Sequence, residues 1–153
     1  GERRKRAQVR TTRATLLDDP DGPEVWYVIH ESALHATVGG QAVMRAQLER
    51  LLELTKTASK LTLQVLPFEN GAHAGMDGAF SILTFANLSP LACVEHAISA
   101  VWFEKARDLN FLTIAFGRLA AQSLSGPDST SRIQQILGDL RDDRTDVAQV
   151  KPK

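Results

Sequence analysis

Between Gln41 and Ala58, apolar residues fall at Val43, Met44, Leu48, Leu51, Leu52 and Leu54, mostly along one helical face. Arg45, Glu49, Arg50, Glu53 and Lys56 take much of the remainder, and Arg45–Glu49 and Glu49–Glu53 are i,i+4 neighbours. This pattern predicts an amphipathic helix. On its N-terminal side, Val25-Trp26-Tyr27-Val28-Ile29 is an unbroken run of β-branched and aromatic residues, which predicts a strand buried on both faces. On its C-terminal side, Leu61–Leu66 reads as a second strand stopped by Pro67. Strand, helix and strand within about 40 residues form a βαβ unit with parallel strands and a right-handed crossover.

The flanks are punctuated by breakers. Residues 2–17 have helical spacing at Ala7, Arg10, Ala14 and Leu17, a thin stripe that needs a partner surface. Asp18–Pro23 is a loop, with two prolines, a glycine and three acids. Glu31–Val38 makes a short helical turn, stopped by Gly39-Gly40. Beyond the βαβ unit, Glu69–Gly78 is a loop with three glycines. Ala79–Phe85 and Ala92–Phe103 read as strands too close together for a crossover helix, so they pair antiparallel. A helix follows over Glu104–Leu124, with Leu109, Leu112, Phe116 and Leu119 on its buried face. Gly126–Ser129 breaks it and supplies an N-cap, and a last helix over Ser129–Arg141 buries Ile133, Ile136, Leu137 and Leu140. The fold class is α+β: a small mixed β-sheet, one parallel βαβ unit followed by antiparallel strands, packed with helices. Residues 1–141 are expected to form one regulatory or partner-binding domain with a basic N-terminal helix. Residues 142–153 form a polar tail that frays or folds only against a partner.

Composition narrows the function classes. Eighteen basic and eighteen acidic residues cancel, which excludes a wholly basic protein that coats nucleic acid. Apolar runs such as Leu61–Leu66 fall far short of the ~20 residues of a membrane span. Cys93, the single cysteine, can form neither an internal disulfide nor a cysteine-rich zinc site. No charged-then-apolar leader opens the chain, so a cytoplasmic location is expected. The neutral total conceals an asymmetry. Arg3, Arg4, Lys5, Arg6, Arg10 and Arg13 face Glu2 alone among the first 13 residues, a basic arm on a mildly acidic body. Clustered cations of this kind suit a nucleic-acid or interdomain contact, although no aromatic residue is interleaved for base stacking.

Candidate chemistry is sparse. His30-Glu31-Ser32-Ala33-Leu34-His35 superficially resembles a zinc-protease helix, but its histidines are five apart rather than four, which turns the second ring about 140° away from the first. No metal and no cofactor is expected. Gly71-Ala72-His73-Ala74-Gly75-Met76-Asp77-Gly78 lacks the Lys and Ser/Thr of a phosphate loop and leads into a strand, so its glycines supply unusual backbone angles or form a ligand-facing lip around His73. Glu95-His96 interrupts an apolar run, and alternation puts the two side chains on opposite faces. An acid–base enzyme would use His73 with Glu31 or Glu95, a hydrolase or transferase alternative. No Gly-x-Ser-x-Gly elbow accompanies them.

Several stretches taken in order carry a family likeness: Glu31-Ser32-Ala33-Leu34, Val38-Gly39-Gly40, Met44–Leu51, Val65-Leu66-Pro67-Phe68, Gly71–Gly75, Gly78–Leu83 and Val94-Glu95. Together they resemble the C-terminal domain of actinobacterial XRE-type (Cro/repressor-like) helix-turn-helix regulators, antitoxin-like transcriptional regulators whose domain is commonly described as of unknown function. The resemblance spans roughly residues 3–140. It departs at the missing Pro-Gly-Leu-Leu lead-in and at Arg13-Ala14, where an Arg-Gln pair is usual. The resemblance implies a non-catalytic domain for dimerisation, effector sensing or contact with a small protein encoded nearby. DNA would be bound through a helix-turn-helix that these residues do not contain. The positions it carries over, either as a ligand- or partner-binding pocket or as residues that hold the fold, are Glu31, His73, Phe80 and Glu95.

Overall fold

The computed structural model describes Gln8, Thr11, Thr12 and residues 15–96 and 98–147, with side chains described as far as Leu140. Its elements are β1 (Val25–His30), α1 (Ser32–His35), α2 (Gln41–Thr57), β2 (Leu61–Leu66), β3 (Phe80–Leu83), β4 (Leu91–Glu95), β5 (Ala100–Phe103), α3 (Ala106–Gln122) and α4 (Gly126–Val147). Single 3₁₀ turns stand at Thr15–Leu17 and Phe68–Asn70. The protein is α+β, with a parallel two-strand sheet and an antiparallel three-strand sheet. The described chain divides into two compact units: one ends at Val65 and resumes at Leu124, and residues 66–123 form the other.

The first unit is built on the βαβ segment. Gly39 and Gly40, at φ 76° and 93°, turn the chain into α2 through backbone space that glycine enters without penalty. Helix α2 packs along α4. Leu34, Met44, Leu48, Leu52, Leu63, Val65, Ile133, Ile136 and Leu137 close the core between them. Leu48, Val65 and Ile133 are fully buried, and each such aliphatic side chain contributes about 1.5–3 kcal/mol. Strand β1 departs from expectation. Trp26 and Tyr27 are about half exposed, and as adjacent residues they point to opposite faces, so neither face of β1 is fully covered there. Trp26 is still anchored: its Nε1 donates to Gln64 Oε1 at 2.7 Å, and Gln64 Nε2 donates onward to the Leu124 carbonyl at 2.9 Å.

Helix α4 starts earlier than its sequence suggests. Ser125, not Ser129, caps it: the Asp128 amide donates to Ser125 Oγ at 3.2 Å and Ser125 Oγ donates to Asp128 Oδ2 at 2.5 Å, a reciprocal cap. Pro127 is tolerated because a first-turn amide has no helical partner to lose. That frees the Ser129 hydroxyl for the core. It is 1% exposed, accepts the Val65 amide at 2.9 Å and donates to the Leu124 carbonyl at 3.3 Å. Helix α4 also runs on past Arg141 to Val147, into residues expected to fray.

In the second unit, the expected long strand over Ala92–Phe103 is two strands. The His96 amide donates to the Ser99 carbonyl at 2.8 Å and reverses the chain, with Ile98 standing 89% exposed at the bend. β3 pairs with β4 and β4 with β5, all antiparallel, and α3 packs against β3 and β4.

Candidate functional site

The charged centre of the first unit forms where β1 hands over to α1. Glu31 sits at that junction and is 4% exposed, an expensive place for a carboxylate without compensating donors. Arg132 of α4 supplies them. Its Nη1 donates to Glu31 Oε1 at 2.7 Å and to Oε2 at 2.8 Å. His35 adds a contact from Nε2 to Oε1 at 3.6 Å, one helical turn after Glu31. The neighbouring His30 is engaged locally: the Ser32 amide donates to its Nδ1 at 3.2 Å, so Nδ1 is an acceptor and the Ser32 hydroxyl donates to it at 2.7 Å. Both histidines of the zinc-like stretch therefore serve the β1–α1 corner, and the described residues hold no cluster of three potential metal ligands.

Arg132 carries no obvious chemical motif, although a signal was present. It lies three residues after Ser129 and four before Ile136, at the margin of the buried stripe of α4. A cation at that margin either reaches solvent or pairs with an acid, and its position alone does not name the partner.

The second unit holds the other three candidates. The loop between β2 and β3 folds back on its own imidazole: the Gly75 amide donates to His73 Nδ1 at 3.2 Å, and the Met76 and Gly78 amides close turns onto the His73 and Gly75 carbonyls. A Cβ on Gly75 would stand 3.3 Å from His73 Nδ1 and 3.5 Å from Leu119 Cδ1, so the loop lies close against α3. The Asn70 side-chain amide donates to the Gln122 carbonyl and fixes the loop's entry. Phe80 opens β3 opposite Val94, and Glu95 lies opposite Ala100. Side chains alternate along a strand, so Phe80 and Glu95 belong to opposite sheet faces. Glu31, tied to Arg132, belongs to the first unit, and His73, Phe80 and Glu95 belong to the second. The basic residues Arg3, Arg4, Lys5, Arg6, Arg10 and Arg13 lie outside the described residues.

A cleft of about 180 Å³ opens in the first unit beside the 3₁₀ turn, lined by Leu16, Leu17, Pro20, Pro23, Thr57 and Lys60 among others. None of the four candidates lines it. Its polar groups are largely spoken for: Arg50 donates to both Asp18 oxygens at 2.7 and 2.9 Å, and Lys60 Nζ donates to the Gly22 carbonyl at 3.0 Å. Hydrogen bonds to Glu53 and then to Asp18 raise the Arg50 pKa above its ordinary value.

No helix among the described residues is long and apolar enough to cross a membrane. Residues 1–135 match the family model described as a domain of unknown function, DUF5753, and the chain belongs to that family. No curated protein and no solved structure matches it.

Proposed function

We propose that this chain is the regulatory domain of an XRE-type helix-turn-helix transcriptional regulator, working in the cytoplasm by dimerisation, effector sensing or recognition of a small protein partner and not by catalysis. On this reading DNA is contacted by a helix-turn-helix module outside these residues, with the basic stretch Arg3–Arg13 at the junction. A ligand or partner that binds one arrangement of the domain better shifts the population toward it. In a dimeric regulator that changes the separation of two DNA-binding heads, which read half-sites at fixed spacing.

The observation that carries the proposal is the commitment of Glu31. A general acid or base must reach a reacting atom at about 2.6–3.2 Å or through one water. Glu31 instead receives a two-oxygen grip from Arg132, which ties the β1–α1 corner to α4. His73 likewise spends Nδ1 on its own loop. Groups so engaged hold shape, as a domain read by its conformation requires.

Fusing the chain to a DNA-binding domain that grips its operator only as a dimer tests the proposal. Operator binding and repression should be restored, with sedimentation equilibrium showing a dimer. A strict monomer at high concentration with no gain in repression refutes the dimeric reading. Turnover of a substrate that disappears in a folded His73→Ala variant would refute the non-catalytic one.

A further inference from the structure

Helix α3 is apolar on two sides. Leu109, Ala115, Leu119 and Ala120 are buried, and Leu112 and Phe116 half-buried, on the side serving the unit's core. Roughly opposite stand Arg107, Phe111, Ile114 and Arg118. Their spacing of i, i+4, i+7 and i+11 places them within about 60° of one another at about 100° per residue. Phe111 is 72% exposed and Ile114 47%. No ion pair to Arg107 or Arg118 occurs among the described residues. Single exposed apolar residues are ordinary, but an aromatic and an aliphatic side chain one turn apart, bracketed by arginines, have the composition of an interface centre.

The charges select the occupant. In a two-fold pairing of this stripe with a second copy, antiparallel helices set Arg107 against the other copy's Arg118, and parallel helices set each arginine against its own equivalent. Like charges oppose both arrangements. Residues 1–13, with six cations and one acid, are no better suited to it. The stripe spans about 16 Å at 1.5 Å per residue, a length that a helix with the same spacing matches. We propose that this face of α3 docks an amphipathic helix of a different protein, one presenting apolar anchors with a carboxylate about one turn beyond them at each end. The proposal deepens the partner-recognition part of the reading above and depends on neither dimerisation nor DNA binding.

Two stapled helical peptides test it. Both carry Leu at two positions three apart; one bears Glu four residues outside each Leu, the other Lys. Fluorescence anisotropy with the whole chain should show saturable binding of the Glu peptide about tenfold or more tighter than the Lys peptide, a preference that narrows as salt rises. The double variant Arg107→Glu/Arg118→Glu should reverse the preference, and Phe111→Ala should weaken both peptides while leaving the urea midpoint of the chain unchanged. Equal affinities, no saturable binding of the Glu peptide, or a preference that survives the double charge reversal would overturn the proposal. So would a sedimenting dimer that Phe111→Ala dissociates, which would assign the face to a second copy. Because the peptide assay involves no operator and no fusion, its failure is distinguishable from failure of the regulatory reading.

Discussion

Replacing Arg132 with Met removes the cation that grips Glu31 but keeps most of the side-chain volume. The carboxylate remains 4% exposed and loses two charge-assisted hydrogen bonds of 2.7 and 2.8 Å. Removing one partner of a buried ion pair typically costs about 3–5 kcal/mol. Two features favour the lower end: the Arg132 side chain is 25% exposed, so water already shares in its solvation, and His35 lies 3.6 Å from the same carboxylate. The expected loss is therefore about 3 kcal/mol. At about 1–3 kcal/mol per molar urea, the unfolding midpoint should fall by roughly 1–3 M. Trp26 belongs to the first unit and Trp102 to the second, so Trp26 fluorescence in a Trp102→Phe background reports the unit that holds the pair. Removing both charges, as Glu31→Leu/Arg132→Met, should recover at least half of the loss, because no stranded buried charge remains. A single variant costing less than about 1 kcal/mol would place the pair among surface ion pairs. A double variant no more stable than the single one would deny that a stranded carboxylate was the source of the cost.

Other positions give sharper local tests. Ser129→Ala deprives the buried Val65 amide of its acceptor and should cost about 1–3 kcal/mol, with Val65 losing hydrogen-exchange protection out of proportion to its neighbours. Ile133→Ala opens a cavity at a 0% exposed position and should cost about 2–5 kcal/mol in urea unfolding, whereas Leu88→Ala, at 72% exposure, should stay within about 0.5 kcal/mol of the parent. Two glycine-to-alanine changes should have opposite signs in thermal unfolding. Gly39→Ala must hold φ at +76° with its Cβ 3.1 Å from Val43 Cγ1 and should destabilise by about 1 kcal/mol or more. Gly138→Ala, inside α4 with open space around the added carbon, should stabilise by about 0.5–1 kcal/mol.

Local order was written in the sequence, and long-range partnership was not. The apolar stripe of α2 predicts a helix from Gln41 that ends within a residue of the observed Thr57, and Leu61–Leu66 is a strand over the range its residues indicate. Both rest on periodicity and breakers confined to a dozen or so neighbours, which bias the backbone before any tertiary contact forms. The same composition misleads once the outcome depends on what lies alongside. Val25–Ile29 has the residues of a doubly covered strand, but what packs over each face is decided by the tertiary structure, and Trp26 and Tyr27 stay half exposed. An apolar run over Ala92–Phe103 cannot reveal by hydrophobicity alone that it reverses at His96 and Ser99. Glu31 stood out as a candidate from its family likeness, yet its engagement depended on Arg132, 101 positions away. No local pattern encodes such a pair: it exists because folding α4 against the βαβ core removes both side chains from water, and a buried charge tolerates that only beside its opposite.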